Sequence, residues 1–234
     1  MGPFFSDDLR RYLKQTRELY GDELFLDLKK TNSEGGRISE KNAGDYGSSE
    51  LDDYESEINR CQKCSLGSTR NKFVFGVGDP GARLLLVGEA PGAEEDKIGQ
   101  PFVGRAGKLL DKILAAIKRD RYHDVYICNV LKCRPPSNRN PLPVEVESCE
   151  PHLLHQIYLI KPELIVALGR VAGMTLLNVD KPLKTMRGLI HDYHGTPLIV
   201  TYHPAALLRN SNWKPEAWKD FKWIKSILDD KREG

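Results

Sequence analysis

Four short apolar runs alternate with segments in which apolar residues recur at helical spacing. The runs cover residues 84–87, 125–130, 164–168 and 198–202 and consist mostly of aliphatic residues. Short runs of this kind are typical of buried strands, and their alternation with helices is typical of a parallel sheet covered on both faces. The pattern therefore predicts an α/β fold.

Polar residues of unusual type stand at the ends of three of these runs. Glu89 follows the first run inside a Gly-Glu-Ala-Pro-Gly turn, Asn129 lies at the end of the second, and His203 follows the fourth. In open α/β sheets, ligands bind beyond the carboxyl ends of the strands. We therefore expect Glu89, Asn129 and His203 to converge on one site.

The pattern divides the chain into three parts. Residues 1–31 carry leucines and tyrosines at roughly helical spacing, which predicts a helical extension. Residues 32–53 are rich in glycine, serine and acids, so we expect a flexible linker, since such a segment buries too little surface to become ordered. Residues 54–234 are the predicted main domain. A partner-docking arm, a self-association element and a packed extension fit the first part equally well.

Composition bounds the class of protein. The chain has 234 residues, 40% of them hydrophobic and 29% charged, with a net charge of +2, which suffices for one buried domain with an appendage. No stretch approaches the roughly 20 apolar residues that span a bilayer. The beginning of the chain lacks the pattern of a secretory signal. We expect a soluble, cytoplasmic protein with no membrane partner.

The chain has five cysteines, whose spacing suggests a metal or redox site. Cys61 and Cys64 form a C-x-x-C pair, while Cys133 and Cys149 flank a proline-rich loop far downstream. Structural disulfides are rare in the cytoplasm, so the spacing favours metal or redox chemistry, and a thioredoxin-like redox pair is the weaker alternative because the C-x-x-C does not follow a strand and open a helix. Zinc and an iron–sulfur cluster both accept four thiolates. Cys128 lies inside an apolar run, where a free thiol is expected to act as a small hydrophobe.

Two common enzyme classes are disfavoured by their missing motifs. The glycine-rich turn at residues 88–92 lacks the Lys-Ser/Thr of a P-loop and the spacing of a dinucleotide fingerprint. A Gly-x-Ser-x-Gly nucleophile elbow is absent from the sequence as well. A nucleotide-triphosphate enzyme and a serine hydrolase are therefore poor interpretations.

Several long motifs resemble the family 4 uracil-DNA glycosylases, the iron–sulfur members of the uracil-DNA glycosylase superfamily. The resemblance covers residues 58–228 and rests on motifs at residues 88–96, 100–107, 129–136 and 203–209. It implies a three-layer α/β/α sandwich with a central four-stranded parallel sheet. It also implies a 4Fe-4S cluster with four cysteine ligands: Cys61, Cys64, Cys133 and Cys149.

The resemblance further implies a DNA-repair enzyme that flips uracil out of DNA and hydrolyses its N-glycosidic bond. The product is an abasic site, and no lyase activity is expected. We expect a monomer acting on single- or double-stranded DNA, with an unidentified protein as a possible partner of the N-terminal extension. By resemblance, Phe102 stacks on the flipped base, Asn129 reads its Watson–Crick edge, and His203 stabilises the departing base. Ala90 and Gly92 are expected to line the substrate site.

The residue that orients the attacking water is less well defined by the resemblance. The best-studied glycosylases of the superfamily carry an aspartate where this chain has Ala90, and alanine cannot act as a base. Glu89 is the first candidate for this role and Glu95 the second. Glu94 and Asp96 are expected to solvate the loop.

DNA contacts are expected from the segment after His203 and from the loop after Asn129. Leu207 and Leu208 resemble apolar residues that enter the minor groove, although one of the two is expected to pack in the core. Phosphate contacts are expected from four cations around the site: Lys132, Arg134, Arg139 and Arg209.

Two other interpretations compete with the glycosylase. One is a non-catalytic iron–sulfur or zinc protein that binds nucleic acid or a partner, but the presence of Glu89, Phe102, Asn129 and His203 favours an enzyme. The other is a relative that forms a covalent adduct with uracil-containing DNA through a loop histidine. Residues 134–140 contain no histidine, so turnover is expected.

Overall fold

Six strands form one mixed sheet in the computed structural model, which describes residues 44–230. In chain order the strands are β1 (Val77–Gly78), β2 (Leu84–Gly88), β3 (Val125–Asn129), β4 (Leu164–Leu168), β5 (His191–Tyr193) and β6 (Thr196–Thr201). Their order across the sheet is β1-β3-β2-β4-β6-β5. The α/β class predicted from the apolar runs is confirmed.

The inner strands β3, β2, β4 and β6 pair in parallel, and each outer strand pairs antiparallel to its neighbour. The sheet therefore has six strands where the resemblance implies four. The outer strands β1 and β5 are two and three residues long and only partly buried, so they leave no apolar run in the sequence. The parallel strands β2, β3 and β4 are buried throughout, as both faces of the sheet are covered.

Helices connect the strands. In the described residues they are α1 (Gly44–Ile58), α2 (Leu66–Thr69), α3 (Ala93–Ile98), α4 (Arg105–Ala116), α5 (Pro143–Ile160), α6 (Arg170–Leu177), α7 (Leu183–Met186), α8 (Pro204–Arg209) and α9 (Lys214–Asp230). Short 3-10 turns cover Pro136–Asn138 and Ser211–Trp213. None of the helices within residues 44–230 combines the length and apolar character needed to cross a membrane.

The two faces of the sheet bury separate hydrophobic clusters. Leu85 and Val87 of β2 belong to a cluster that includes residues of α1, α5 and α6, whereas Leu84 and Leu86 belong to one that includes α4 and α9. This alternation follows from the two-residue period of a strand. Each fully buried leucine contributes about 1.5–3 kcal/mol through the burial of its side chain.

Helix α1 corrects part of the predicted linker. Residues 44–53, which the composition assigns to the linker, form the first part of this helix. Leu51, Tyr54 and Ile58 lie at helical spacing, and all three are buried in the first cluster. About one apolar residue per turn is enough to dock a helix on an existing core. The prediction that residues 44–53 belong to a flexible linker is wrong for this reason, because it rested on composition alone. The predicted extension and linker residues 32–43 lie outside the described residues.

A buried ion pair fixes the carboxyl end of β6. Asp220 on α9 accepts hydrogen bonds from Arg187 Nε and Nη2, both at 2.9 Å, and from Thr201 Oγ1 at 2.5 Å. Thr201 is the last residue of β6 and stands two residues before His203. The pair therefore ties α9 and the residue after α7 to the strand that delivers His203.

Candidate active site

Asn129 and Phe102 meet at Gly88, at the carboxyl end of β2, and His203 lies against the Phe102 ring. A Cβ atom built on Gly88 would lie 2.3 Å from Asn129 Oδ1 and 2.8 Å from Phe102 Cζ, so only glycine leaves room for both side chains. The rings of Phe102 and His203 lie 5.4 Å apart, centroid to centroid, at 31°. Glu89 follows Gly88 directly. The structure thus brings the strand-end residues to one place.

Phe102 is held through its backbone. Its φ angle of 53° lies in the left-handed region, which costs a non-glycine residue about 1–3 kcal/mol. Arg121 offsets this cost by donating hydrogen bonds to the carbonyl oxygens of Pro101 at 3.1 Å and Phe102 at 2.7 Å. Asp111 holds the Arg121 guanidinium in turn at 2.7 Å. A Cβ on Gly107 would lie 1.6 Å from the same Phe102 oxygen, so α4 packs directly against this loop.

Asn129 combines a fixed backbone with a free side chain. Lys132 Nζ donates to the Asn129 carbonyl oxygen at 2.8 Å and to Gln156 Oε1 at 2.5 Å. The Gln156 amide donates to the Phe75 carbonyl oxygen at 3.1 Å. Asn129 as a residue is 2% exposed, and its side-chain amide, which is not fully enclosed, has no hydrogen-bond partner within residues 44–230. Its donors and its acceptor are therefore available to a ligand.

His203 is a neutral ring with its proton directed away from the helix. The backbone N–H of Ala205 donates to His203 Nδ1 at 3.1 Å and caps α8. Because Nδ1 accepts, the proton of the neutral ring is assigned to Nε2. Burial lowers the pKa of His203 to about 4, with Arg209 adding to the decrease and Glu95 opposing it. At neutral pH the Nε2–H group is a hydrogen-bond donor.

The two candidate carboxylates differ in their partners. Glu95 Oε1 accepts from the backbone N–H groups of Val103 at 3.1 Å and Gly104 at 3.2 Å, so this side chain holds the loop that carries Phe102. The Glu89 carboxylate has no hydrogen-bond partner in the described part of the chain, and burial raises its pKa. Glu89 thus has no protein partner within residues 44–230, whereas Glu95 holds the Phe102 loop and also lies within electrostatic range of His203.

Three residues in or just before α3 have structural roles. Asp96 is 2% exposed and accepts from the Asn71 backbone N–H at 2.9 Å and from Asn71 Nδ2 at 2.5 Å. The expectation that Asp96 solvates the loop is wrong, because its carboxylate anchors the residues before Phe73. Ala90 packs against the cysteine cluster described below. Gly92 is the N-cap of α3, and a Cβ there would lie 2.7 Å from Glu95 Oε2.

Two of the predicted phosphate contacts are corrected by the structure. Lys132 is fully buried, with its amine bonded as above, and cannot reach a phosphate. Arg139 forms a double ion pair with the buried Glu145, at 2.6 and 2.9 Å. Arg134 is partly buried and donates to Asn138, while Arg209 is exposed. Arg209 is the predicted cation that remains free for DNA.

The two leucines after His203 point in different directions. Leu207 is 1% exposed and packs in the interior, so a minor-groove role for it is wrong. Leu208 is 40% exposed, and it is the residue of the two that can reach DNA. On a helix, adjacent positions do not share a face.

The predicted cysteine ligands gather beside this site. Cys64, Cys133 and Cys149 belong to one apolar cluster with Leu66 and Leu131, and all the cysteines are unpaired. Burial raises the pKa of Cys133, with a further contribution from Cys61 and Cys64. Burial also raises the pKa of Cys149 to about 12, with Cys133 and Cys64 adding to it. Cys133 therefore lies within electrostatic range of Cys61, Cys64 and Cys149.

Polar groups surround the sulfur atoms. Arg70 Nη1 donates to Cys133 Sγ at 3.3 Å and to the Cys61 carbonyl oxygen at 2.6 Å. The Lys132 backbone N–H donates to Cys149 Sγ at 3.3 Å. His152 Nε2 lies 3.5 Å from Cys61 Sγ. Such N–H donors stabilise sulfur ligands that carry negative charge.

The described side chains form no compact site for a single metal ion. Within residues 44–230, no three His, Cys, Asp or Glu side chains lie close enough to hold one metal ion. Cys128 lies in β3 and is fully buried in the core, which confirms its predicted role as a small hydrophobe.

Sequence reasoning missed the residues that support the site. Arg70, Arg121, His152 and Gln156 carry no motif, and their importance lies in burial and in long-range contacts. Arg121 bonds residues 19 and 20 positions away, and Arg70 reaches Cys133 across 63 positions. A lone arginine in a sequence gives no sign of such contacts.

Comparison with known proteins agrees with the site. The model of the uracil DNA glycosylase superfamily matches residues 75–222. A protein of Archaeoglobus fulgidus named type-4 uracil-DNA glycosylase is 44% identical over 190 residues, which cover 78% of this chain and 95% of that protein. A protein of the same name from Thermotoga maritima is 43% identical over 196 residues, covering 81% and 100%.

A more distant relative marks the limits of the likeness. The type-5 uracil-DNA glycosylase of Thermus thermophilus is 35% identical over 150 residues, which cover 56% of this chain and 68% of that protein. The matches to the two type-4 proteins cover more of this chain than the match to the type-5 protein does. The chain therefore belongs to the uracil-DNA glycosylase superfamily, in its type-4 family.

Proposed function

We propose that this protein excises uracil from DNA by hydrolysing the N-glycosidic bond, leaving an abasic site for base-excision repair. The observation that carries the proposal is the side-chain amide of Asn129, which has no partner within residues 44–230. It lies at Gly88 next to the Phe102 ring, and that ring in turn contacts His203. A ligand that pairs with this amide satisfies hydrogen-bonding groups that no other group within residues 44–230 satisfies.

Base recognition follows from the hydrogen-bonding groups. A uracil flipped out of the helix stacks on the face of Phe102. The Asn129 amide donates from Nδ2 to a uracil carbonyl oxygen and accepts through Oδ1 from the ring N–H. Because Lys132 holds the Asn129 carbonyl oxygen, the amide stays in place while the base enters.

Bond cleavage uses the neutral form of His203. As the bond between uracil N1 and the sugar C1′ breaks, its electron pair leaves with uracil, and negative charge grows on a carbonyl oxygen. His203 Nε2–H donates a hydrogen bond to that oxygen. The sugar becomes an oxocarbenium-like cation, which the ionised Glu89 carboxylate stabilises. Water then attacks C1′, and Glu89 orients it and takes up its proton.

A hydrolytic reaction without lyase activity is supported by the position of the nearby lysine. Lyase chemistry needs a free amine that attacks C1′. Lys132 is the lysine closest in sequence to Asn129, but it is fully buried, and its amine is bonded to Asn129 and Gln156. Water is therefore the proposed nucleophile.

We also propose that Cys61, Cys64, Cys133 and Cys149 hold a 4Fe-4S cluster. Cys64, Cys133 and Cys149 lie in one cluster, and Arg70 and the Lys132 backbone donate N–H groups to two of their sulfur atoms, which supports this assignment. Lys132 supports it further, because this buried cation has no carboxylate partner within residues 44–230 and an anionic neighbour would offset its charge. When bound, the cluster crosslinks chain segments, and uracil hydrolysis requires no electron transfer.

The proposal includes a monomer in the cytoplasm that accepts single- or double-stranded DNA. Glu89, Phe102, Asn129 and His203 all come from one chain, so the site is complete without a partner. All five cysteines are unpaired, which fits a reducing compartment.

His203→Ala tests the proposed reaction. An oligonucleotide with one uracil, treated with alkali to reveal abasic sites, should be cleaved by the wild type in either strand form. His203→Ala should reduce the single-turnover rate about 10²–10³-fold, because the donor to the departing base is lost. His123→Ala is the matched control. His123 is 83% exposed and precedes β3, so it lies at the amino-terminal end of the parallel strands and the site lies at their carboxyl ends. Intact oligonucleotide after incubation with the wild type would contradict the proposal and favour a DNA-binding protein without catalysis.

The pH dependence of uracil excision should report Glu89. Since burial raises the pKa of Glu89 above 4.5, activity should be complete above that raised pKa and fall as the pH decreases through it. Glu89→Gln should remove this acid limb and lower the plateau of kcat/KM about 10²–10³-fold. Glu94→Gln, an exposed acid in the same loop, should leave both unchanged. An unaltered acid limb in Glu89→Gln would assign the titration to another group.

Replacing Leu207 and Leu208 separately should affect different properties. Leu207→Ala should lower the free energy of unfolding by about 2–5 kcal/mol, because it leaves a cavity. Leu208→Ala should keep the stability within about 0.5 kcal/mol but slow excision from duplex DNA more than from single strands, where no base must be unstacked. Urea unfolding and excision assays on both substrates measure these effects. An equal loss on both substrates would remove Leu208 from the flipping step.

A further inference from the structure

A stack of three side chains stands beside the active site without a role in the proposed reaction. Trp213, in the 3-10 turn after α8, is 41% exposed. Its ring stacks on Tyr202 with the centroids 5.5 Å apart and the planes at 19°. The Arg187 guanidinium carbon lies over the same Tyr202 ring, 4.4 Å from its centroid. Arg187 also donates to Tyr202 Oη at 3.3 Å.

The stack is rigid because its charged member is fixed. Arg187 is held by the Asp220 carboxylate through two hydrogen bonds of 2.9 Å and donates to the Glu216 carbonyl oxygen at 3.1 Å. Arg187 and Tyr202 therefore give the Trp213 ring a fixed surface on which to stack. A side chain that is ordered before binding loses less entropy when it binds.

The surroundings of Trp213 have the character of a nucleic-acid surface. Residues 208–214 read Leu-Arg-Asn-Ser-Asn-Trp-Lys, with two cations and no acid. Leu208, Arg209 and Lys214 are exposed. Arg209 lies close enough to His203 to lower the pKa of that histidine. Surfaces that bind single strands combine cations along the backbone with an aromatic ring on which a base stacks.

The stack is also continuous with the active site. Tyr202 directly precedes His203, and α8, which His203 caps, leads into the turn that carries Trp213. A single exposed aromatic residue is common on proteins. An exposed tryptophan that is already stacked, lies in a basic segment and adjoins a DNA-processing site is a more specific arrangement.

We propose that Trp213 is a base-stacking residue, which takes an unpaired base of the DNA strand next to the excised uracil. Arg209 and Lys214 lie where they can contact the phosphates of that strand. The inference rests on the proposed function, which places DNA at His203. It implies that Trp213 strengthens the binding of single-stranded DNA.

Binding of uracil-free DNA tests this inference separately from catalysis. Fluorescence anisotropy with a labelled single-stranded oligonucleotide without uracil, and with its duplex, gives Kd for each variant. Trp213→Ala should weaken single-strand binding about 5- to 150-fold and duplex binding less. Trp213→Phe, which keeps a stacking ring, should retain most of the affinity. Trp218→Ala is the matched control, as Trp218 is 39% exposed on the following helix and should have no effect.

The outcomes separate the inference from the proposed function. If Trp213→Ala and Trp218→Ala bind single strands equally, the inference is overturned, even when the wild type excises uracil. An equal loss for single strands and duplex would overturn it too, since no unpaired base would be involved. If Trp213→Phe binds as weakly as Trp213→Ala, the ring acts by supporting Tyr202 and not by stacking on DNA. If the wild type does not excise uracil, and Trp213→Ala weakens single-strand binding while Trp218→Ala does not, the inference stands and the proposed function is removed.

Discussion

Two backbone hydrogen bonds extend β3 beyond Asn129, and the site depends on them. The N–H of Val130 donates to the Gly88 carbonyl oxygen at 2.9 Å, and the N–H of Leu131 donates to that of Glu89 at 3.1 Å. The chain after Asn129 therefore continues alongside the chain after β2 and does not turn away from it. Asn129 on one segment and Glu89 on the other are held side by side as a result.

The same extension leads directly to the cysteines. Residues 132 and 133 follow it, with the Lys132 backbone bonded to Cys149 and the Lys132 side chain bonded to Asn129. The Lys132 carbonyl oxygen also accepts from Val74 at 2.9 Å. Ala90, next to Glu89, packs on the cysteine cluster as well. The cysteine region thus contacts both of the chain segments that carry the site residues.

The sequence predicted the inner sheet and the placement of the site residues, because buried parallel strands are continuous apolar runs and polar residues at their ends stand out. It missed β1 and β5, which are too short and too exposed to leave such a run. Leu207 and Lys132 were misjudged for a related reason. Whether a leucine or lysine in a loop is buried depends on what packs on it, and this is set by distant residues such as Gln156.

Amide hydrogen exchange at Val130 and Leu131 in Cys133→Ala tests most directly whether the cysteine region holds the active-site segment. The account predicts exchange about 2- to 10-fold faster than in the wild type at these two amides, because local opening is eased by about the net contribution of one hydrogen bond. The amides of Leu85 and Leu86 in β2 should keep their protection, which distinguishes local opening from global destabilisation. Unchanged exchange at Val130 and Leu131 would contradict the account, and it would show that the extension of β3 holds Asn129 without help from the cysteines.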